Sequence, residues 1–302
     1  MSGAISVVVN TRNEERRLGY ALRSVRGWAD DIVVVDMAST DRTVEVARSF
    51  GARVFAHEPT GFVEPARAFA CAQARGDWLL VLDADELVPL PLSLPLRAIA
   101  AHDQADVVRI ARVNSIFAAP VLHSGWNPER DRQVRFWKAG AVTLPDAIHG
   151  HATPRSGARL LDLPYRDGAA LVHLSHVDVA AFLDRLNAYT SVEAEQAFAR
   201  GERTRPARAL AAAAREWLAR YLRHGGFRDG WRGFHLALLM AGYRLATHAK
   251  LAERADVGTR ADAERRYAAA AEQVLAAYTG ADASAAAAAP GAAGRSDDGE
   301  ER

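Results

Sequence analysis

The chain has a single cysteine, Cys71, among 302 residues. That excludes an intramolecular disulfide and a zinc site built from cysteines, and it suits a reducing compartment. No uninterrupted apolar run approaches the roughly 20 residues of a membrane span. The first residues, MSGAISVVV, carry no basic region ahead of their apolar run, so no signal peptide is expected. Neither G-x-G-x-x-G nor a P-loop occurs, which removes support for dinucleotide-binding and P-loop NTPase readings. A cytoplasmic protein is expected.

What is present is an ordinary globular composition, 49% hydrophobic and 25% charged. The net charge of +1 hides an asymmetry. Residues 202–254 hold 11 Lys/Arg against 4 Asp/Glu, a net of +7, while the remainder holds 27 against 33, a net of −6. A basic section on an acidic body points to an anionic partner. Nucleic acid is disfavoured, because the aromatics of this section fall on an apolar helix stripe rather than among the arginines.

The first hundred residues alternate short apolar runs with helical patterns. Ile5 to Val9 and Ile32 to Val35 are continuous β-branched runs, as in parallel strands buried on both faces. Arg53 to Ala56 and Asp77 to Leu82 read as further strands, with helices over Glu14 to Val25, Thr43 to Phe50 and Pro65 to Ala74. This alternation predicts an α/β fold with an open, mostly parallel sheet covered by helices. From Asp106 the pattern changes to short strands: Val107 to Arg112, Gln133 to Trp137, Val142 to Leu144 and Ala170 to Leu174. The expected division is a catalytic domain over 1–177, split near residue 105 into a ligand half and an acceptor half. A helical section over 178–279 and a low-complexity, disordered tail over 280–302 follow.

The densest chemistry lies in GDWLLVLDADELVPLP, where an apolar run ends in Asp83, Asp85 and Glu86. Alternate residues of an extended end point to one side, so Asp83 and Asp85 can face one ligand while Ala84 packs away. Two hard carboxylates at this spacing suit Mg²⁺ or Mn²⁺ shared with substrate phosphates. A solvated acidic turn is the plain alternative, but it needs no carboxylate abutting a buried strand. An EF-hand loop fails for want of its central glycine. A haloacid dehalogenase-like phosphatase would carry its acidic pair on the first strand, not the fourth.

Four segments, ISVVVNTRNEERRLGYALRSV, DDIVVVDMASTDRTVEVARSFGARV, TGFVEPARAFACAQARGDWLLVLDADE and SGWNPERDRQVRFW, together resemble a family 2 glycosyltransferase of the GT-A fold. The resemblance runs from about Ile5 to Glu253. It is nearest to bacterial enzymes that add glucose to the inner core of lipopolysaccharide, including the late FRDGWRGFHLALLMAGYRLATHAKLAE. It implies that Thr11 and Asp36, with Glu14 nearby, hold a uridine and its ribose, and that Arg67 faces the nucleotide. Asp83 is implied to meet ribose and metal, Asp85 to bind the metal directly, and His173 to complete the metal site. A core histidine on a strand is the alternative for His173.

The chain departs from that family pattern at Ala68, where asparagine is usual, and at Ile148-His149-Gly150, where relatives show VHE. Glycine cannot replace the glutamate expected as general base. Asp146, His149 and His151 lie close by, and a neutral imidazole has a suitable pKa for taking a hydroxyl proton. His149 is the first choice for the base and Asp146 the second. Trp126, Arg132 and Arg135 fall where the acceptor is expected, the arginines suiting phosphate or carboxylate groups; surface arginines of an edge hairpin are the alternative.

The reading expected from sequence is therefore an inverting transfer from a UDP-sugar, most simply UDP-glucose, to a lipid-linked saccharide of the lipopolysaccharide core. Transfer to a polyprenyl phosphate or a protein, and a catalytically silent nucleotide- or glycan-binding homologue, are the alternatives. In 178–279 a stripe of Leu210, Ala214, Trp217 and Tyr221 is expected to pack on the catalytic domain. Arg208, Arg215, Arg220 and Arg223 would then face outward, onto the inner face of the cytoplasmic membrane.

Overall fold

The computed structural model describes residues 3–59, 64–144, 152–166, 168–276 and 278. Four strands, β1 (Ile5–Thr11), β2 (Asp31–Asp36), β3 (Arg53–Ala56) and β4 (Trp78–Asp83), pair in parallel in the order β3-β2-β1-β4. Helices α1 (Leu18–Val25), α2 (Thr43–Ser49) and α3 (Glu64–Ala72) make the crossovers. β1 is buried at every position, and its alternate residues serve two cores. Ile5, Val7 and Val9 join α1 on one face, whereas Val8 joins Val33, Val35 and Ala70 of α3 on the other. The unbroken β-branched runs are thus the signature of a sheet covered on both sides.

Beyond β4 the sheet becomes mixed. β5 (Glu86–Leu87) and α4 (Leu90–His102) lead to the long β6 (Val107–Ile116), which forms a hairpin with β7 (Ala119–Val121). β8 (Arg132–Lys138) runs antiparallel between β4 and β6. β9 (Val142–Thr143) and β10 (Thr153–Pro154) form a separate ribbon, and β11 (Leu160–Asp162) and β12 (Leu171–Leu174) both pair in parallel with β6. β12 also pairs antiparallel with β5, so the last strand of the sheet returns to the turn that follows β4.

The rest is helical: α5 (Val179–Ala199), α6 (Pro206–Leu218), α7 (Gly230–Asp256) and α8 (Arg260–Leu275). Between α6 and α7 lie a π turn, Ala219–Arg223, and a 3₁₀ turn, Gly226–Asp229. The sequence GFRDGWRG fastens this junction to the sheet domain. Asp229 accepts hydrogen bonds from the backbone N–H groups of Leu122 and His123 and from the Ser124 hydroxyl, the last at 2.7 Å. Arg232 donates twice to the Phe117 carbonyl in the β6–β7 turn. α7 crosses so closely that a Cβ on Gly233 would lie 1.8 Å from the Gly226 carbonyl oxygen. No helix of the described residues is long and apolar enough to cross a membrane. The expected tail, 280–302, lies outside the described residues.

The expected stripe on α6 is displaced. Leu210 is 64% exposed and Ala214 is also exposed, while Ala213 is the buried residue of this helix. Small alanines let α6 approach α7 closely and leave the leucine outside.

Candidate active site

The parallel register sets Thr11 opposite Asp36 and Asn10 opposite Asp83, so three strand ends meet at one edge. Asn10, Thr11 and Asp36 are all buried. Among the described residues, Thr11 Oγ1, Asp36 Oδ1 and both amide atoms of Asn10 have no hydrogen-bond partner. Each such group costs about 1–3 kcal/mol, so an edge carrying several is suited to a ligand that offers complementary groups. The loops behind it are laced together. The backbone N–H groups of Asn13, Thr40 and Glu14 donate to Ser39 Oγ, Asn13 Oδ1 and Thr43 Oγ1, each at 2.8 Å. Ser39 N–H donates to the other Asp36 oxygen. Asn13 takes a left-handed backbone, φ 54°, which asparagine tolerates well.

The three carboxylates at the end of β4 have three different settings. Asp83 accepts from Arg67 at 2.8 Å and from Arg135 at 2.5 Å and 3.3 Å. Glu86, fully buried, accepts from Arg135 at 3.0 Å, from Arg112 at 3.3 Å and from the Asp83 N–H at 3.0 Å. Burial alone would raise the Asp83 pKa, but the Arg135 and Arg67 guanidiniums hold it far below the usual carboxylate range. Burial likewise opposes the charge on Arg135, and Asp83 and Glu86 outweigh it, holding its pKa well above the usual value.

This corrects the acceptor-facing expectation for Arg135. Its residue is 6% exposed and its guanidinium is committed to Asp83 and Glu86, beneath the site. The strand argument for the acidic pair is also amended, since β4 ends at Asp83 and a turn, not an extended end, presents Asp85.

Asp85 faces away from those arginines. Its Oδ2 lies 3.4 Å from His173 Nε2 and 3.9 Å from Arg17. β12 brings the histidine there, because its pairing with β5 sets His173 opposite Glu86, and Leu174 N–H donates to the Asp85 carbonyl at 2.8 Å. His173 Nδ1 lies 2.7 Å from Asn114 Oδ1, an oxygen that can only accept. Nδ1 therefore carries a proton and Nε2 is the nitrogen turned to Asp85, the arrangement common to metal-ligating histidines. Among the described residues no group of three or more His, Cys, Asp or Glu could hold a metal ion. A carboxylate and an imidazole nevertheless fit a divalent cation that draws its other ligands from water and a diphosphate.

Glu14 and His176 border this pair. Burial raises the Glu14 pKa, with Arg17 opposing and Asp85 adding to the rise. Burial, then Arg185 and His173, push His176 down to about 4, so its imidazole is neutral at pH 7. Arg112, Asn114 and His176 were not singled out in the sequence, and Glu86 was named among the carboxylates without a role. His176, three residues after His173 in LVHLSHVD, is the one whose spacing was available as a signal.

Trp126, expected to meet the acceptor, lies partly buried against the cluster of Ile116, Phe117 and Phe182, with Arg220 stacked 4.6 Å from its ring centroid. Arg132 is paired with Glu129. Arg220 also donates to the Ser124 carbonyl and to Glu216, so it faces inward, contrary to expectation. The proposed bases His149 and Asp146 lie outside the described residues.

The model for glycosyl transferase family 2 matches residues 6–156, half of the chain. This chain belongs to that family. As a family 2 glycosyltransferase it has the GT-A architecture, a mixed, mostly parallel sheet flanked by helices with a helical C-terminal region. It is 28% identical over 260 residues to the lipopolysaccharide core biosynthesis glycosyltransferase LpsC of Rhizobium meliloti, covering 83% of this chain and 92% of that one. An uncharacterized glycosyltransferase of Rickettsia bellii is 25% identical over 254 residues, covering 82% and 86%. Among solved structures, S. aureus TarS (residues 1–349) aligns with a TM-score of 0.42 at 15% identity, over 85% of this chain and 92% of that chain. Mycobacterium tuberculosis glucosyl-3-phosphoglycerate synthase, in complex with Mn²⁺, UDP-glucose and phosphoglyceric acid, aligns with a TM-score of 0.31 at 26% identity, over 37% and 44%.

Proposed function

We propose that this glycosyltransferase inverts the anomeric centre of a UDP-sugar, glucose in the simplest case, as it transfers it to a saccharide of the lipopolysaccharide core. The observation that carries the nucleotide part is the row of buried, partnerless polar atoms on Asn10, Thr11 and Asp36 beside the Asp85–His173 pair. Thr11 and Asp36 bind the uridine and ribose, Glu14 lines the same edge, and Arg67 and Asp83 orient the sugar-nucleotide from below. Asp85 and His173 are the residues that hold Mg²⁺ or Mn²⁺, which when bound supplies positive charge against the leaving diphosphate. The likeness to LpsC supports the lipopolysaccharide acceptor.

The acceptor hydroxyl loses its proton as its oxygen attacks the sugar from the face opposite the diphosphate. His149 takes that proton, with Asp146 the second choice. His176 is the less suited base, because a pKa of about 4 is poorly matched to proton abstraction near pH 7. Trp126 and Arg132 remain the proposed acceptor contacts, and a peripheral position on the anionic inner face of the cytoplasmic membrane brings a lipid-linked acceptor within reach.

The test is calorimetric titration with UDP, with and without Mn²⁺, followed by transfer of radiolabelled UDP-glucose to truncated lipopolysaccharide core. We expect UDP binding that tightens with Mn²⁺, transfer abolished by chelator, and transfer lost in Asp85→Ala with the fold intact. UDP binding without transfer to any saccharide would instead favour a silent nucleotide-binding homologue, the reading motivated by Gly150. His149→Ala is expected to lower kcat by roughly 10²–10⁴ with UDP affinity unchanged.

A further inference from the structure

Away from the sheet edge, two cavities open between α6 and α7. One, of about 430 Å³, is lined by Arg208, Arg215, Glu216, Arg244 and His248 along with two alanines. The basic residues converge through helix periodicity: Arg208 and Arg215 are seven apart on α6, and Arg244 and His248 four apart on α7. Their charge is not balanced locally. Glu216, the one carboxylate of the lining, already accepts from Arg220 at 2.6 Å and from Arg244 at 3.0 Å. Among the described residues Arg208 and Arg215 have no carboxylate within ion-pair distance. Burial and then the fields of Arg208, Arg244 and Arg215 lower the pKa of His248, with Glu202 opposing.

The second cavity, about 410 Å³, is an apolar groove formed by Pro206, Ala209, Leu210, Leu245, Ala249 and Ala252. Leu210 and Leu245 are 64% and 40% exposed in it. His248 lines both cavities, so the basic pocket and the apolar groove are adjoining parts of one surface. Three cations without sufficient counter-charge select a phosphate, which arginine forks recognise well. An apolar groove that begins at the same side chain selects a hydrocarbon continuous with that phosphate.

We propose that the two cavities form one site for a single anionic phospholipid, with its phosphate against Arg208, Arg215 and Arg244 and an acyl chain along Ala209, Leu210 and Leu245. The site is independent of the sugar-nucleotide edge. It differs from diffuse attraction of a basic surface to a membrane, because it requires particular arginines and particular leucines together.

The full-length protein is titrated with dihexanoyl phosphatidic acid below its micellar concentration, with dihexanoyl phosphatidylcholine and with inorganic phosphate. We expect the phosphatidic acid to bind most tightly. The variant R208Q/R215Q should weaken it by roughly tenfold per arginine. L210Q/L245Q should weaken it several-fold while leaving inorganic phosphate unaffected. R223Q/R228Q, which removes equal charge outside the pocket, should change neither. Arg208 and Arg215 are exposed and form no ion pair among the described residues, so melting temperature should be preserved, and single Arg215→Gln provides a milder check. The proposal is overturned if wild-type protein does not bind phosphatidic acid, if it binds it no better than inorganic phosphate, or if R223Q/R228Q weakens binding as much as R208Q/R215Q.

Discussion

Thr11 is buried, and among the described residues its hydroxyl has no hydrogen-bond partner, a cost to the fold. Thr11→Val should leave the ligand-free protein equally stable or more stable in urea, by up to about 1–3 kcal/mol, while weakening UDP binding about tenfold for one lost hydrogen bond. A variant that lost stability and kept UDP affinity would mark Thr11 as structural. Arg135 should behave in the opposite way. Arg135→Leu leaves buried Glu86 and partly buried Asp83 short of a cation, and should lower urea stability by about 3–5 kcal/mol. The pH dependence follows from the shifted groups. Asp83, whose folded pKa is depressed, stabilises the fold above the ordinary carboxylate range and loses that contribution as pH falls toward its folded value. His176 is depressed from 6.5 to about 4, so the fold favours its neutral form. Its contribution is present above about pH 6.5 and declines as pH falls toward 4. His176→Leu should therefore flatten the drop in melting temperature between those values. Asp83 and Asp85 stood out in the sequence because carboxylates abutting an all-apolar strand demand a reason, whereas Thr11 and Asp36 were drawn from the family resemblance and the structure brings them to the same edge. Arg135 was not, since a strand arginine reads identically whether it points to solvent or to a buried carboxylate.

The four parallel strands were legible because runs such as ISVVV suit a sheet covered on both faces; the two- and three-residue strands β5, β7, β10 and β11 are too short to carry such a pattern. The helices beyond residue 178 were legible as helices but not as faces. The apolar side of α6 is built largely of alanine, so Leu210 drew the expected stripe to itself although the helix packs through Ala213. The π turn at Ala219–Arg223 then shifts the angular spacing by one residue, and Arg220 swings beneath Trp126 instead of into solvent. The segment GFRDGWRG has a physical account in this junction. Its aspartate and second arginine tie the junction to the sheet, and its glycines permit the close crossing. Gly233→Ala should force α7 away from the Gly226 carbonyl and cost about 1–3 kcal/mol. Limited proteolysis should show earlier cleavage near Ser124 and Gly225 than in wild type, and unchanged cleavage and stability would refute the account.

At the scale of the whole molecule, charge is divided between an acidic body and the basic section of residues 202–254. Arg208, Arg215 and Arg223 are exposed, each worth about 1 kcal/mol beside an anionic bilayer. Sedimentation with anionic vesicles should therefore exceed that with neutral ones and fall as salt rises; equal binding to both would refute the electrostatic attachment. The route of the chain through the sheet has a consequence in time. The edge bearing Asn10, Thr11 and Asp36 is complete once β4 has been made, but the imidazole that faces Asp85 arrives only with β12, the last strand. At the usual pace of translation that interval is on the order of ten seconds. During it a nascent chain holds the residues of that edge without the imidazole that faces Asp85, so the two parts of the proposed site are synthesised apart in time.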